Sequence, residues 1–187
     1  MEKIRLYHTG FEEIRRPDVH RGRINADFGQ GFYLSPDEEF SRRWARTRKG
    51  EATIINSYEL TLDGLKVMRL ERNAEWFDII YRNRSFAAGA PEGFDVVIGP
   101  IANDTIYDTW GITTSGLLTR EQSLELLMIG NVYLQAVVRT ERAAERLRWL
   151  SARELTEAEV AGYRQTVAQE QEEFQLKFLE TFNRLTG

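Results

Sequence analysis

The chain of 187 residues carries a formal net charge of −4, with 42% hydrophobic and 29% charged residues. That balance suits a globular protein and leaves no overall basic surface of the kind many nucleic-acid binders present. It contains no cysteine and only two histidines, His8 and His20, which excludes disulfides, thiolate nucleophiles and cysteine-ligated metals and argues against a His-rich metal site.

The segment KIRLYHT alternates, with Ile4, Leu6 and His8 on one face, the pattern of a strand. The polar stretch GFEEIRRPDVHRGRINAD, with Pro17 and Gly22, reads as a loop. Phe32, Tyr33 and Leu34 predict a short strand. Ser35-Pro36-Asp37-Glu38 predicts a helix start, with Ser35 as cap, Pro36 in the first turn and Glu38 closing a capping box. That helix is expected to run through Trp44 and stop near Gly50. IINSYEL and LKVMRL predict strands on either side of the turn signal Asp63-Gly64. AEWFDIIYRNRSF has helical spacing, with Trp76, Ile79, Ile80 and Asn83 near one face. FDVVIGPIAND begins as a buried strand and breaks at Gly99-Pro100. Thr119 to Gln122 forms another capping box, whose helix is expected to end at Gly130. YLQAVVRT predicts a strand, Thr140 caps a helix over ERAAERL, and RWL returns to the sheet. A further capping box, Thr156 to Glu159, opens a long helix to about Leu185. Its apolar stripe runs through Val160, Val167, Phe174, Phe178, Phe182 and Leu185, interrupted by Glu170 and Gln171. The pattern as a whole predicts a mixed α+β domain over 1–150 followed by a helical appendage over 151–187. The N-terminal MEKIRLYHTG lacks the apolar run of a signal peptide, and no window reaches the ~20 apolar residues of a membrane span. A cytoplasmic protein with no membrane partner is expected.

The stretch DFGQGFYLS, Asp27 to Ser35, sets two glycines ahead of an aromatic pair. Gly29 and Gly31 permit close backbone approach or unusual dihedrals, and Tyr33 offers a flat face with a polar tip. The stretch reads either as a plain turn into a core strand or as the cradle of a flat ligand. It is not a dinucleotide-binding glycine fingerprint, since the third glycine is missing and no strand leads directly in. Taken alone, His8 is either a structural hydrogen-bonding residue or a ligand contact. Asn103 and Asp104 read as side-chain caps of a turn or as polar groups beside a pocket. Arg15, Arg16, His20, Arg21 and Arg23, and again Arg42, Arg43, Arg46, Arg48 and Lys49, form basic clusters. These read as solvated surface or as contacts to a pyrophosphate or a nucleic acid.

LYHTG followed by FGQGFYLS resembles the poly(ADP-ribose) polymerase and diphtheria-toxin class of ADP-ribosyltransferases. That class pairs a strand ending in His-Gly with a stretch very like Phe-Gly-Lys-Gly-Ile-Tyr-Phe. Within the class, the sequence is most similar to a small bacterial family of uncharacterised domains sharing YH, DFGxGFYL, a tryptophan in the next helix, GPxAND and a late strand opened by Gln. The resemblance covers roughly 1–150. It implies an ADP-ribosyltransferase-like split β-sheet with flanking helices, to which the long C-terminal amphipathic helix is added. It also implies NAD as a cosubstrate, with no metal.

By position, the resemblance makes His8 the partner of a ribose hydroxyl. The backbone at Thr9 would hold the nicotinamide carboxamide, with Gly10 one place later than the glycine of the class. Tyr33 would stack on the nicotinamide, and Gly29 and Gly31 would let the backbone approach. Gln135 stands where the class has an acidic residue that steadies the ribose and the oxocarbenium-like cation, a charge state that carboxylates serve in glycoside chemistry. Asn103 or Asp104 would orient ligand or acceptor, Asp104 being the nearest substitute carboxylate. The implied activity moves one ADP-ribose unit from NAD to a macromolecular acceptor, protein or nucleic acid. Such enzymes are often toxins or defence factors with a neutralising partner. The alternatives are a degenerate module that binds NAD, ADP-ribose or a partner protein, and an NAD glycohydrolase. The C-terminal stripe either packs back onto its own domain or pairs with a second copy or a neutralising partner.

Overall fold

The alternating and continuous apolar runs resolve into two small sheets. In the computed structural model, which describes residues 2–46, 48, 50–84, 92–102 and 117–187, the first sheet has the order β1 (Lys3–Gly10), β3 (Thr53–Thr61), β7 (Leu147–Leu155), antiparallel throughout. The second has the order β2 (Phe32–Leu34), β6 (Leu134–Val138), β5 (Val96–Pro100), β4 (Val67–Arg69), with only the β4–β5 pair parallel. Among the described residues the sheets are stitched together at one bridge. Tyr7 N donates to Ser35 O at 2.8 Å, and Ser35 N donates to Tyr7 O at 2.9 Å.

Leu6, Tyr58 and Leu60 of the first sheet meet Phe32, Leu34, Val96, Ala136 and Val138 of the second in one buried core. The opposite face of the second sheet carries Val97 and Val137, which pack with Phe28 against Trp76, Phe77 and Ile80 of α2 (Ala74–Arg84). Both faces of β5 and β6 are therefore covered, which is why VVIGP and LQAVV read as nearly continuous apolar runs.

Three helices end earlier than the sequence expectation: the one after Ser35, the one after Thr119 and the one after Thr140, which stops at Ala144 rather than Leu147. Helix α1 spans only Glu38–Arg42, and its cap is Asp37, whose Oδ1 accepts from Phe40 N at 3.2 Å. Ser35 does not cap. Its Oγ donates to Leu134 O at 3.1 Å and accepts from Asp37 N at 3.0 Å, which ties the end of β2 to the start of β6. Helix α3 (Arg120–Leu127) has the expected Thr119–Gln122 capping box but ends before Gly130, which adopts a left-handed φ of 84°. Thr140 caps α4 (Glu141–Ala144), and the returning strand β7 then continues to Leu155, so residues 151–155 belong to the first sheet.

Helix α5 (Glu157–Thr186) opens on the expected Thr156–Glu159 box and lies along the body of the protein. Val160 packs with Ala45, Ile55 and Leu155. The Tyr163 hydroxyl accepts from Arg42 and donates to Glu39. Glu170 pairs with Arg43 and accepts from the Tyr133 hydroxyl. Near the C-terminus Arg184 pairs with Glu125, and Gln122 donates to Leu185 O. Among the described residues no helix is long and apolar enough to cross a membrane.

Candidate functional site

The loop between β1 and β2 is held against the inner face of the first sheet by one buried amide. Asn56 accepts from Ile14 N at 3.0 Å and from Trp149 Nε1 at 3.1 Å, and it donates to Glu12 O at 2.9 Å. Tyr58 adds a bond from its hydroxyl to Ile14 O at 2.7 Å. This anchoring delivers Asp27-Phe28-Gly29 to the edge of the second sheet.

The two glycines of the motif have different work. Gly29 turns the chain at φ 81°, a left-handed conformation that side chains resist. Gly31 is a packing residue, since a Cβ there would stand 2.5 Å from Val137 Cγ1 and 2.7 Å from Val138 O. Its missing side chain lets β2 lie against β6.

Tyr33 and Gln135 share a face of the second sheet. Tyr33 pairs directly with Val137, and Gln135 lies two residues away along the same strand. The Tyr33 hydroxyl donates to Gly29 O at 2.7 Å and accepts from Phe28 N at 3.0 Å, so the ring is folded over the loop that precedes it. Burial pushes the pKa of this phenol well above its ordinary value. His8 lies on the other face, its ring centroid 4.7 Å from that of Phe32. It meets Tyr33 through the backbone, with Nδ1 2.8 Å from Tyr33 O.

That contact fixes the tautomer of His8. A carbonyl only accepts, so Nδ1 carries the proton, and burial lowers the pKa of the ring, the bond to Tyr33 O opposing the shift. The neutral imidazole then presents Nε2 as an acceptor, which has no partner among the described residues. Gly10 leaves space beside it, since a Cβ there would come within 3.4 Å of Nε2. Thr9 is buried opposite Ile55, its hydroxyl 3.1 Å from that of Ser41.

Gln135 is only 3% exposed, and its Nε2 donates to Asp27 Oδ2 at 2.8 Å. Asp27 is itself 7% exposed and forms an ion pair with Arg84 from the end of α2. Arg84 Nε and Nη2 reach Asp27 Oδ1 at 2.8 and 2.5 Å, and Nη2 also donates to Ala102 O at 2.8 Å. Ala102 N donates to Asp27 Oδ2 at 3.2 Å, and Asn83 Nδ2 to Asp27 O at 2.8 Å. The sequence reading did not single out Asp27 or Arg84. Asp27 heads DFGQGFYLS, and a carboxylate opening the turn that leads into β2 is the available signal. Asn103 and Asp104 lie outside the described residues.

Several residues of the basic clusters are engaged in ion pairs: Arg15 with Glu13, Arg21 with Glu12, Arg42 with Glu38, and Arg43 with Glu170 of the C-terminal helix. Among the described residues no group of three metal-ligating side chains could hold an ion. A cleft of about 430 Å³, lined by Lys66, Phe94, Asp95, Arg139 and Arg142 among others, lies at the far end of β6 and is not bordered by His8, Tyr33 or Gln135.

A family model described as "Protein of unknown function (DUF3990)" matches residues 4–149. The chain belongs to this family. The DUF3990 match runs from β1 into β7 and so contains His8, Asp27, Tyr33, Arg84 and Gln135, while α5 lies beyond it. No curated protein matches the chain.

Proposed function

We propose that the protein is a mono-ADP-ribosyltransferase that uses NAD as a cosubstrate and moves one ADP-ribose unit to a protein or nucleic-acid acceptor. The observation that supports this reading is that three separate stretches meet through their backbones at the junction of the two sheets, with the His8 ring on one face of β2 and the Tyr33 and Gln135 side chains on the other. Tyr7 and Ser35 bridge β1 to β2, His8 Nδ1 meets Tyr33 O, and β2 pairs with the strand that bears Gln135. Those stretches are the ones that resemble the transferase class. The acceptor atom Nε2 of a neutral His8 suits a ribose hydroxyl.

In the proposed reaction the bond between the ribose anomeric carbon and the nicotinamide nitrogen breaks, and nicotinamide leaves neutral with the bonding pair. The positive charge that develops on the ribose is steadied by acceptor groups around it. An acceptor oxygen or nitrogen then bonds to the anomeric carbon and loses its proton to solvent.

A second reading, a binder of NAD or ADP-ribose without turnover, is favoured by Gln135. An amide supplies less stabilisation to a cation than a carboxylate does. Incubation with labelled NAD and cell extract separates the outcomes. Label on a macromolecule supports transfer, free ADP-ribose indicates hydrolysis, and saturable binding without either indicates the binder. Absence of both binding and turnover sinks the NAD readings altogether.

A further inference from the structure

The Asp27 carboxylate is saturated. Oδ1 accepts from Arg84 Nε and Nη2, and Oδ2 accepts from Ala102 N and Gln135 Nε2. An ionised carboxylate offers about four lone-pair sites, and these donors fill them. Asp27 therefore has nothing left for a ligand, and it acts through the groups it holds. Of those, Gln135 is the one on the strand face it shares with Tyr33.

The chemistry of the pair dictates which way the Gln135 amide faces. A carboxylate cannot donate, so the NH2 end must point at Asp27. The other end, Oε1, has no partner among the described residues. We propose that Asp27 is a positioning residue, locking the Gln135 amide so that an acceptor oxygen is the end offered to a ribose hydroxyl of NAD. This rests on the transferase reading. A free glutamine could equally turn its NH2 group outward and present a donor. The lock makes a neutral side chain imitate the acceptor half of a carboxylate. It also accounts for the amide at position 135, because a glutamate there would set a second carboxylate against Asp27.

The test combines single-site and paired substitutions with nicotinamide release and NAD affinity. In Asp27→Asn the new amide donor confronts Gln135 Nε2, the glutamine turns over, and a donor replaces the acceptor. Nicotinamide release should fall about 10- to 100-fold, the scale of losing the partner that orients a functional side chain, with NAD affinity much less affected and the melting curve still cooperative. The paired variant Asp27→Asn/Gln135→Glu keeps one carboxylate and one amide with their positions exchanged, and it should recover release to the parent level or above. A folded Asp27→Asn protein with parental release overturns the positioning role and leaves the transferase reading intact, as does a folded paired variant that stays slow. Should both variants fail to fold, the side-chain carbonyl 13C resonance of Gln135 in the parent decides. It should shift on NAD addition, and a resonance indifferent to bound NAD overturns the proposal. A parent protein that neither binds nor cleaves NAD overturns the transferase reading itself, and this proposal with it.

Discussion

At the scale of single residues, the motif that stands out in the sequence is held by bonds the sequence does not display. DFGQGFYLS is legible because glycine and aromatic residues have few reasons to alternate so closely. The partners of its first residue are not, since Gln135 and Arg84 lie 108 and 57 positions away. Gly31 reads as room for a ligand, but the space is taken by Val137 and Val138. Tyr33 reads as a free wall, but its hydroxyl serves Phe28 N and Gly29 O. Tyr33→Phe should consequently be costly although the ring is kept. It leaves the N–H of fully buried Phe28 without an acceptor, which costs about 1–3 kcal/mol, measurable by urea denaturation, and an unchanged midpoint would contradict the hydroxyl's role. His8 gives a pH-dependent counterpart. Its folded pKa lies below the ordinary value of 6.5, burial being the cause. Above that value both folded and unfolded states hold the neutral ring, and His8 contributes nothing to the pH dependence. As the pH falls below about 6.5 the unfolded state takes up the proton first, so stability drops until the folded pKa is passed. The melting temperature of the parent should fall more steeply below pH 6.5 than that of His8→Gln, and parallel curves would place the imidazole in a solvated environment instead.

At the scale of elements, what was legible is what the chain decides locally. Thr119, Thr140 and Thr156 each cap a helix through a side chain that reaches only three residues ahead, and all three do so in the structure. The extent of α1 was not legible, because it is settled by distant groups. Arg42 and Arg43 are held by Tyr163 and Glu170 of α5, and Ser41 by Thr9 of β1. From Arg43 to Ala45 the chain continues in short-range turns, with Trp44 N bonded to Ser41 O and Ala45 N to Arg42 O. Helix α5 is thus part of the body at α1, at Tyr133 and at α3, although Val160 is the one buried residue along its length. Removing residues 157–187 leaves β7 whole and should lower the melting temperature or the solubility, since it strips Val160 from Ala45, Ile55 and Leu155 and leaves half-buried Arg43 and the Tyr133 hydroxyl without the Glu170 carboxylate. Glu170→Ala isolates the ion pair and should cost only about 0.5–1 kcal/mol, in keeping with a partly exposed pair. A truncated protein that melts like the parent would make α5 a detachable handle.

At the scale of the whole molecule, the two sheets are joined among the described residues by the Tyr7–Ser35 bridge and share one core. Phe32, Leu34, Val96, Ala136 and Val138 bury against Leu6, Tyr58 and Leu60, so neither sheet can open without exposing the inner face of the other. Each buried aliphatic or aromatic side chain contributes about 1.5–3 kcal/mol, and several are shared across the interface, so partial unfolding along it would forfeit most of a domain's net stability. The mixed α+β pattern was readable from the periods of the segments. The split into two sheets was expected only through the family resemblance, and the local pattern does not declare which way Phe32 and Tyr33 turn, because a three-residue strand carries too little alternation to show which face is inward. The arrangement has a consequence for unfolding. Trp76 sits beneath the outer face of the second sheet, bonded to Pro100 O, while Trp149 belongs to the first sheet and bonds to Asn56. Two variants, each retaining one of these tryptophans and replacing the other three by phenylalanine, report on the two sheets separately. Within each variant the tryptophan fluorescence should change at the same urea concentration as the far-ultraviolet circular dichroism, since a single cooperative unit has one midpoint. If the signal of Trp149 moved well before the dichroism while that of Trp76 moved with or after it, the first sheet would be unfolding on its own. The bridge at Tyr7 and Ser35 would then be a hinge, and the His8 contact to Tyr33 would be the first bond lost.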